Sequence, residues 1–182
     1  PYITMTILLT NDDGYDADGI CYLKSEIKKI EQTVTFAPRQ NCSGYSAAIS
    51  LGKDIEIEEL NKDTFVISGT PADCSYFGLH GSKKFDFTQL VSGINLGSNL
   101  GTDIFYSGTV GAAIAGLKLR YPPIAFSVAS YQPKDLDFIA KKCVEICLYV
   151  RNINIANRYL VNVNFPDIDE NNYIGSKLTT LA

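Results

Sequence analysis

Ile7-Leu-Leu-Thr-Asn-Asp-Asp-Gly-Tyr-Asp-Ala-Asp-Gly19 sets the fold class of the chain. Its apolar start, Ile7 to Leu9, suits a strand buried on both faces. The run stops at Asn11-Asp12-Asp13-Gly14, and a helical pattern begins just after Asp18-Gly19. Strand, turn and helix in this order open many doubly wound α/β domains, whose ligands sit at the carboxyl ends of the strands. A phosphate-binding turn at that place is normally glycine-rich and neutral. Here two adjacent carboxylates occupy it, and they repel each other and any phosphate unless a cation joins them. Asp16 and Asp18 suit a solvated loop, with Asp18 near a helix N-terminus. For Asp12 and Asp13 the reading is a divalent metal site.

After this turn, Ile20, Leu23, Ile27 and Ile30 keep helical spacing, with Lys24, Glu26, Lys28 and Lys29 on the wet side. Val34, Phe36 and Ala37 read as a second strand closed by Pro38. The loop Arg39-Gln-Asn-Cys-Ser-Gly-Tyr-Ser46 is rich in hydroxyls and too long for a tight connection. Ile55-Glu-Ile-Glu58 alternates like a half-buried antiparallel or edge strand, and Phe65 to Ile67 follows. Thr70-Pro-Ala-Asp73 is a helix start, with a capping threonine, proline at the first helical position and an acid at the positive end of the dipole. That helix is expected to end near Gly81, which puts His80 in a cap or surface role rather than a catalytic one. Gln89 to Ser92 is a short buried strand leading into a Gly- and Asn-rich loop from Gly93 to Asp103. Ser107-Gly-Thr-Val-Gly-Ala-Ala113 begins a helix of small residues that stops before Pro122-Pro123. Free amides and hydroxyls at such a start meet the requirements of a phosphate cradle, and small residues also permit close packing on a sheet. Ile124 to Val128 is a strand, Leu136, Ile139, Cys143, Cys147 and Val150 mark a long helix, and Tyr159 to Phe165 is a last strand. The alternation predicts a mainly parallel sheet with helices on both faces, a three-layer Rossmann-like α/β fold.

The chain has 182 residues, of which 46% are hydrophobic and 20% charged, enough for one substantial core and one domain over residues 1–182. A net charge of −4 without a basic tract argues against a nucleic-acid surface or an anionic-membrane anchor. No apolar run reaches the length of a membrane span, and no signal-peptide pattern precedes the first strand. Pro1 to Thr4, ahead of the single methionine Met5, read as an upstream extension. Cys21, Cys42, Cys74, Cys143 and Cys147 include no C-x-x-C pair. With only His80 beside them there is no zinc-type ligand set, so they read as reduced thiols of a cytoplasmic protein, Cys143 and Cys147 as core.

In a parallel sheet the turns after the first, second and Leu90 strands meet at one edge, which brings Asp12, Asp13, Ser43, Asn95 and the Ser107 helix start into one cleft. A donor set made wholly of oxygens selects magnesium, manganese or calcium over zinc or copper. An EF-hand does not fit: with Gly19 at the loop glycine, Gly14 and Ser25 would be the first and twelfth ligands. A Walker loop and a dinucleotide fingerprint are missing. A metal beside a phosphate cradle points to phosphoester hydrolysis, with water activated at the metal and amides holding the transferred group. Asp12 or a metal-bound hydroxide is the candidate base.

Four blocks carry a family resemblance: Ile7 to Gly14, Ala37-Pro38 through Ser43-Gly-Tyr-Ser46, Gly69-Thr-Pro-Ala-Asp-Cys74, and Val91 to Gly101 leading to Tyr106-Ser-Gly-Thr-Val110. In order and spacing they resemble the SurE survival-protein family, metal-dependent 5′- and 3′-nucleotidases with three-layer α/β folds. The resemblance implies Asp12, Asp13, Ser43 and Asn95 as metal ligands, with Asp12 and Asp13 catalytic. It implies phosphate contacts from Asn99, Ser107, Gly108 and Thr109, nucleoside monophosphates and short polyphosphate as substrates, and a homodimer or homotetramer. Two departures stand out. Ala48 replaces a frequent family serine, and the chain ends at Ala182, short of the family's extended arm and C-terminal segment. Two other readings compete: a covalent aspartyl-phosphate route through Asp12, against which the D-x-D spacing is missing, and a non-catalytic nucleotide-binding module.

Overall fold

The computed structural model describes residues 5–81, 84–153 and 159–181. The Pro1 to Thr4 extension and the chain end at Ala182 lie outside them. Strand β1, Thr6–Thr10, is buried along its whole length. Its side chains alternate across the sheet as strand geometry requires. Ile7 and Leu9 join Ile20, Leu23 and Ile27 of helix α1 (Asp18–Ile27), together with Phe138, Ile139, Cys143, Cys147 and Val150 of α4 (Leu136–Asn152). Leu8 faces the other way, toward Cys74 of α2 (Pro71–Tyr76) and Val110 and Ala113 of α3 (Gly108–Ile114). Burial on both faces is why the strand reads as an unbroken apolar run.

The remaining strands are β2 (Gln32–Pro38), β3 (Ile57–Asn61), β4 (Thr64–Ile67), β5 (Phe87–Leu96), β6 (Ile124–Val128) and β7 (Val161–Phe165). They form one seven-stranded sheet in the order β3-β4-β2-β1-β5-β6-β7. Every neighbouring pair is parallel except β3 with β4. This is the expected three-layer α/β architecture.

Several boundaries differ from the sequence pattern. Helix α1 ends at Ile27, and Ile30 stands 43% exposed beyond it. The antiparallel edge strand begins at Ile57 rather than Ile55 and is exposed throughout, so its alternation does not mark a buried face. The Leu90 strand continues through Gly93 to Leu96, and the last strand starts at Val161 rather than Tyr159. Helix α2 begins as expected: Thr70 Oγ1 accepts from the Asp73 amide at 3.1 Å, and Asp73 Oδ2 accepts from the Thr70 amide at 2.8 Å. A π-helical turn, Phe77–Gly81, carries His80 out to the surface beside Tyr76.

The crossovers differ in hand. The connection β1-α1-β2 moves one way over one face, and β5-α3-β6 moves the opposite way over the other face, so the two share a hand. The connection β6-α4-β7 moves as β5-α3-β6 does but over the α1 face, where α4 packs on α1. It is therefore the left-handed crossover of an otherwise right-handed sheet, against the usual preference.

Candidate active site

The site lies where β1, β2, β5 and β6 end, at the switch between strands running outward in opposite directions from β1 and β5. Asp12, just past β1, is only 3% exposed. Its Oδ1 accepts from the Thr109 hydroxyl at 2.5 Å, and the Thr109 amide donates to the same carboxylate. Its own carbonyl accepts from the Cys42 amide at 2.7 Å, which ties the 39–46 loop to the turn. Burial raises the Asp12 pKa above the ordinary carboxylate value, and the Thr109 hydrogen bonds oppose that rise.

A Cβ on Gly108 would sit 2.8 Å from Asp12 Cβ and Oδ2, so only glycine lets the first turn of α3 come this close. The positive end of α3 thus rests on a carboxylate of the protein itself. Ser107 caps the same helix, its Oγ accepting from the Val110 amide at 3.1 Å.

Asp13 is half-buried. It accepts from Asn41 Nδ2 at 3.1 Å and from the Leu96 amide. Desolvation first, and the Asp12 charge second, push its pKa up to about 6. Among the described residues neither carboxylate forms an ion pair with Lys, Arg or His. Asn41 also accepts from the Ser43 amide at 2.9 Å, so one side chain links Asp13 to Ser43. Asn95 donates through Nδ2 to the Gly97 carbonyl at 2.7 Å. Among the described residues, Ser43 Oγ and Asn95 Oδ1 make no hydrogen bond. Two desolvated carboxylates without a cationic partner among the described residues, Asp13 hydrogen-bonded to Asn41 and to the Leu96 amide next to Asn95, suit a hard divalent cation.

Asn99 lies on the β6 side of the same edge. Its Nδ2 donates to Ser127 Oγ at 2.9 Å, and Ser127 pairs with Asn95 in the β5–β6 ladder. Its backbone is clamped from β7: the amide donates to Asn164 Oδ1 at 2.8 Å, and the carbonyl accepts from Asn162 Nδ2 at 2.9 Å and Asn164 Nδ2 at 3.0 Å.

Asp12, Thr109 and Gly108 are therefore in contact. Asp13 adjoins the Asn95–Leu96 strand end, Ser43 is joined through Asn41, and Asn99 through Ser127. Thr109 commits both donors to Asp12, so it faces the carboxylate rather than an open cradle. Three asparagines enter without having been marked by the pattern. Asn41 had only its place two residues before Ser43 as a signal. Asn162 and Asn164 had their i, i+2 spacing opposite the apolar face of β7. All five cysteines are free; Cys143 and Cys147 are core, and Cys21 is the one at the surface.

Comparison with known proteins agrees with this architecture. The 5′-nucleotidase SurE of Acinetobacter baylyi is 40% identical over 169 residues, 90% of this chain and 66% of that protein. That of Pseudomonas syringae pv. syringae is 37% identical over 178 residues, 98% of this chain and 72% of that protein. The chain thus spans about two thirds of the length of such relatives. The crystal structure of the SurE protein from Aquifex aeolicus superposes with a TM-score of 0.87 at 37% identity, covering 94% of this chain and 70% of that one. Residues 7–182 match the family described as Survival protein SurE, and with that match across the sheet and the site, the chain belongs to the SurE family.

Proposed function

We propose that this chain carries the catalytic domain of a phosphatase for nucleoside monophosphates, a 5′-nucleotidase, as its relatives are named. The observation that carries the reading is the adjacent, desolvated carboxylates of Asp12 and Asp13 at the end of β1, with Asp12 held against the N-terminus of α3. A hard divalent cation, magnesium or manganese, with calcium as an alternative occupant, would be held by Asp12, Asp13, Ser43 and Asn95 and would supply Lewis acidity toward a phosphate oxygen and a water.

The chain's own residues do the rest. Ser107 and Gly108 at the α3 start would hold the phosphate, with Asn99 on the β6 side. Thr109 keeps Asp12 oriented, and Asn41 does the same for Asp13. A water oxygen forms a bond to phosphorus as the ester P–O bond breaks. Asp12 takes the water's proton as general base, and the nucleoside oxygen that leaves takes a proton from solvent. Activity on 3′-nucleotides and short polyphosphate, cytoplasmic residence with all thiols reduced, and assembly as a homodimer or homotetramer belong to the same proposal. Among the described residues no helix is long and apolar enough to cross a membrane.

Phosphate release from a nucleoside monophosphate, with and without chelator, tests the reading. We expect release with magnesium or manganese and its loss with chelator. Nucleotide binding without release would replace the enzyme by a binding module. Chelator-resistant release accompanied by a trapped acyl-phosphate would replace the water mechanism by the covalent one.

A further inference from the structure

The geometry points to Tyr131 as the platform on which the base of a nucleoside monophosphate stacks, an inference that rests on reading the site as a nucleotide site. Tyr131 follows β6 and is 83% exposed. An exposed tyrosine is ordinary, but its place here is not. A Cβ built on Gly97 would lie 3.4 Å from Tyr131 Cε1 and 3.6 Å from Asn95 Nδ2, so the ring packs over Gly97 beside Asn95.

The turn that carries Tyr131 is held on several sides. The Gly97 and Ser130 amides both donate to the Val128 carbonyl, at 2.9 and 2.8 Å. The Ala129 amide donates to the Phe165 carbonyl at 2.8 Å, and the Gln132 amide to Ser130 Oγ at 3.2 Å. A ring displayed on a pinned backbone binds a flat partner at little ordering cost.

The surroundings match a ligand with one anionic and one aromatic end. Tyr45, Phe105 and Tyr106 are also more than half exposed, and with Tyr131 they come from loops that follow β2, β5 and β6. Ser46 joins two of these loops: its amide donates to the Tyr106 carbonyl at 3.1 Å and its hydroxyl to the Phe105 carbonyl at 2.6 Å. Polar groups thus gather at the strand ends, and the loops that follow these strands carry exposed aromatic side chains. A purine or pyrimidine offers a π-face to such side chains whatever its hydrogen-bonding edge, so the preference should run by stacking strength, purines ahead of pyrimidines.

The test is calorimetric binding, with manganese present, of the hydrolysis-resistant methylenephosphonate analogues of adenosine 5′-monophosphate and of ribose 5-phosphate, the second of which lacks the base. Wild type, Tyr131→Ala and Tyr131→Phe are compared. Wild type should bind the nucleotide at least about tenfold more tightly than the sugar phosphate. Tyr131→Ala should lose that advantage without weaker sugar-phosphate binding, and Tyr131→Phe should keep it. Equal affinities in wild type, or an advantage that survives in Tyr131→Ala, overturns the assignment. So does a shift in oligomeric state on light scattering with the advantage intact, which would make Tyr131 an association surface. Binding does not require turnover, so a base-dependent advantage without phosphate release from adenosine 5′-monophosphate itself would sink the nucleotidase reading and leave the platform standing.

Discussion

Asp13 is the residue at which charge, burial and ion binding meet. Its pKa is raised from 3.8 to about 6, so the folded, ion-free protein holds a proton that the unfolded chain has already released. The sign follows: stability of the ion-free protein falls as pH rises from about 4 through 6 and is level above that. Proton and cation compete for the carboxylate, so manganese affinity should rise over the same window. Calorimetry between pH 5 and 8 checks this, and a flat affinity would remove Asp13 from the ligand set. Asp13→Asn should lower turnover on the order of 100-fold or more. It should also raise the melting temperature of the ion-free protein at pH 8, because the acceptor oxygen remains and the repulsion is gone. Thr109→Val makes a different prediction. The Thr109 hydroxyl holds the Asp12 pKa down, so its removal should move the acid limb of the kcat/KM profile to higher pH and lower activity about tenfold. An unmoved limb would separate Asp12 from proton transfer.

At the scale of elements, the site depends on how closely strands and helices approach each other, and here sequence was informative unevenly. Ile7 to Leu9 followed by Asn-Asp-Asp identifies β1 and its turn because burial on both faces and an abrupt polar stop leave few alternatives. Gly93 misleads, since glycine usually marks a turn. It stands inside β5 because a Cβ there would meet the Phe126 carbonyl at 2.4 Å. The pairing of Thr109 with Asp12 spans 97 residues, a separation no local pattern encodes. Asn41, Asn162 and Asn164 were illegible for another reason: an amide that solvates a loop and one that bridges two backbones look alike in sequence. The β7 clamp yields a prediction of its own. Asn164→Ala removes both contacts to the Asn99 backbone while Asn162 retains one. KM for a nucleoside monophosphate should rise by roughly tenfold with unfolding little changed. An unchanged KM would mean that Asn99 needs no such restraint.

For the whole molecule, an ion that binds only the native state raises stability by mass action, by about 2.7 kcal/mol at a hundred times its dissociation constant. For a domain of this size that corresponds to a melting shift of roughly 5–10 °C. Manganese at pH 8 should produce it and at pH 5 should not; scanning calorimetry that shows equal shifts would place the ion elsewhere. The left-handed β6-α4-β7 crossover acts at this scale too, through the order in which the chain is made. It lays α4 over α1, so the apolar side of Ile20, Leu23 and Ile27 is roofed by residues that include Cys147 and Val150. At roughly 5–20 residues per second, a ribosome needs on the order of 6–25 s to travel from Ile27 to Val150. For that interval the nascent chain carries an open greasy stripe next to a half-built sheet. A helix that arrives late and closes an early surface makes this protein a natural client for chaperones at the ribosomal exit.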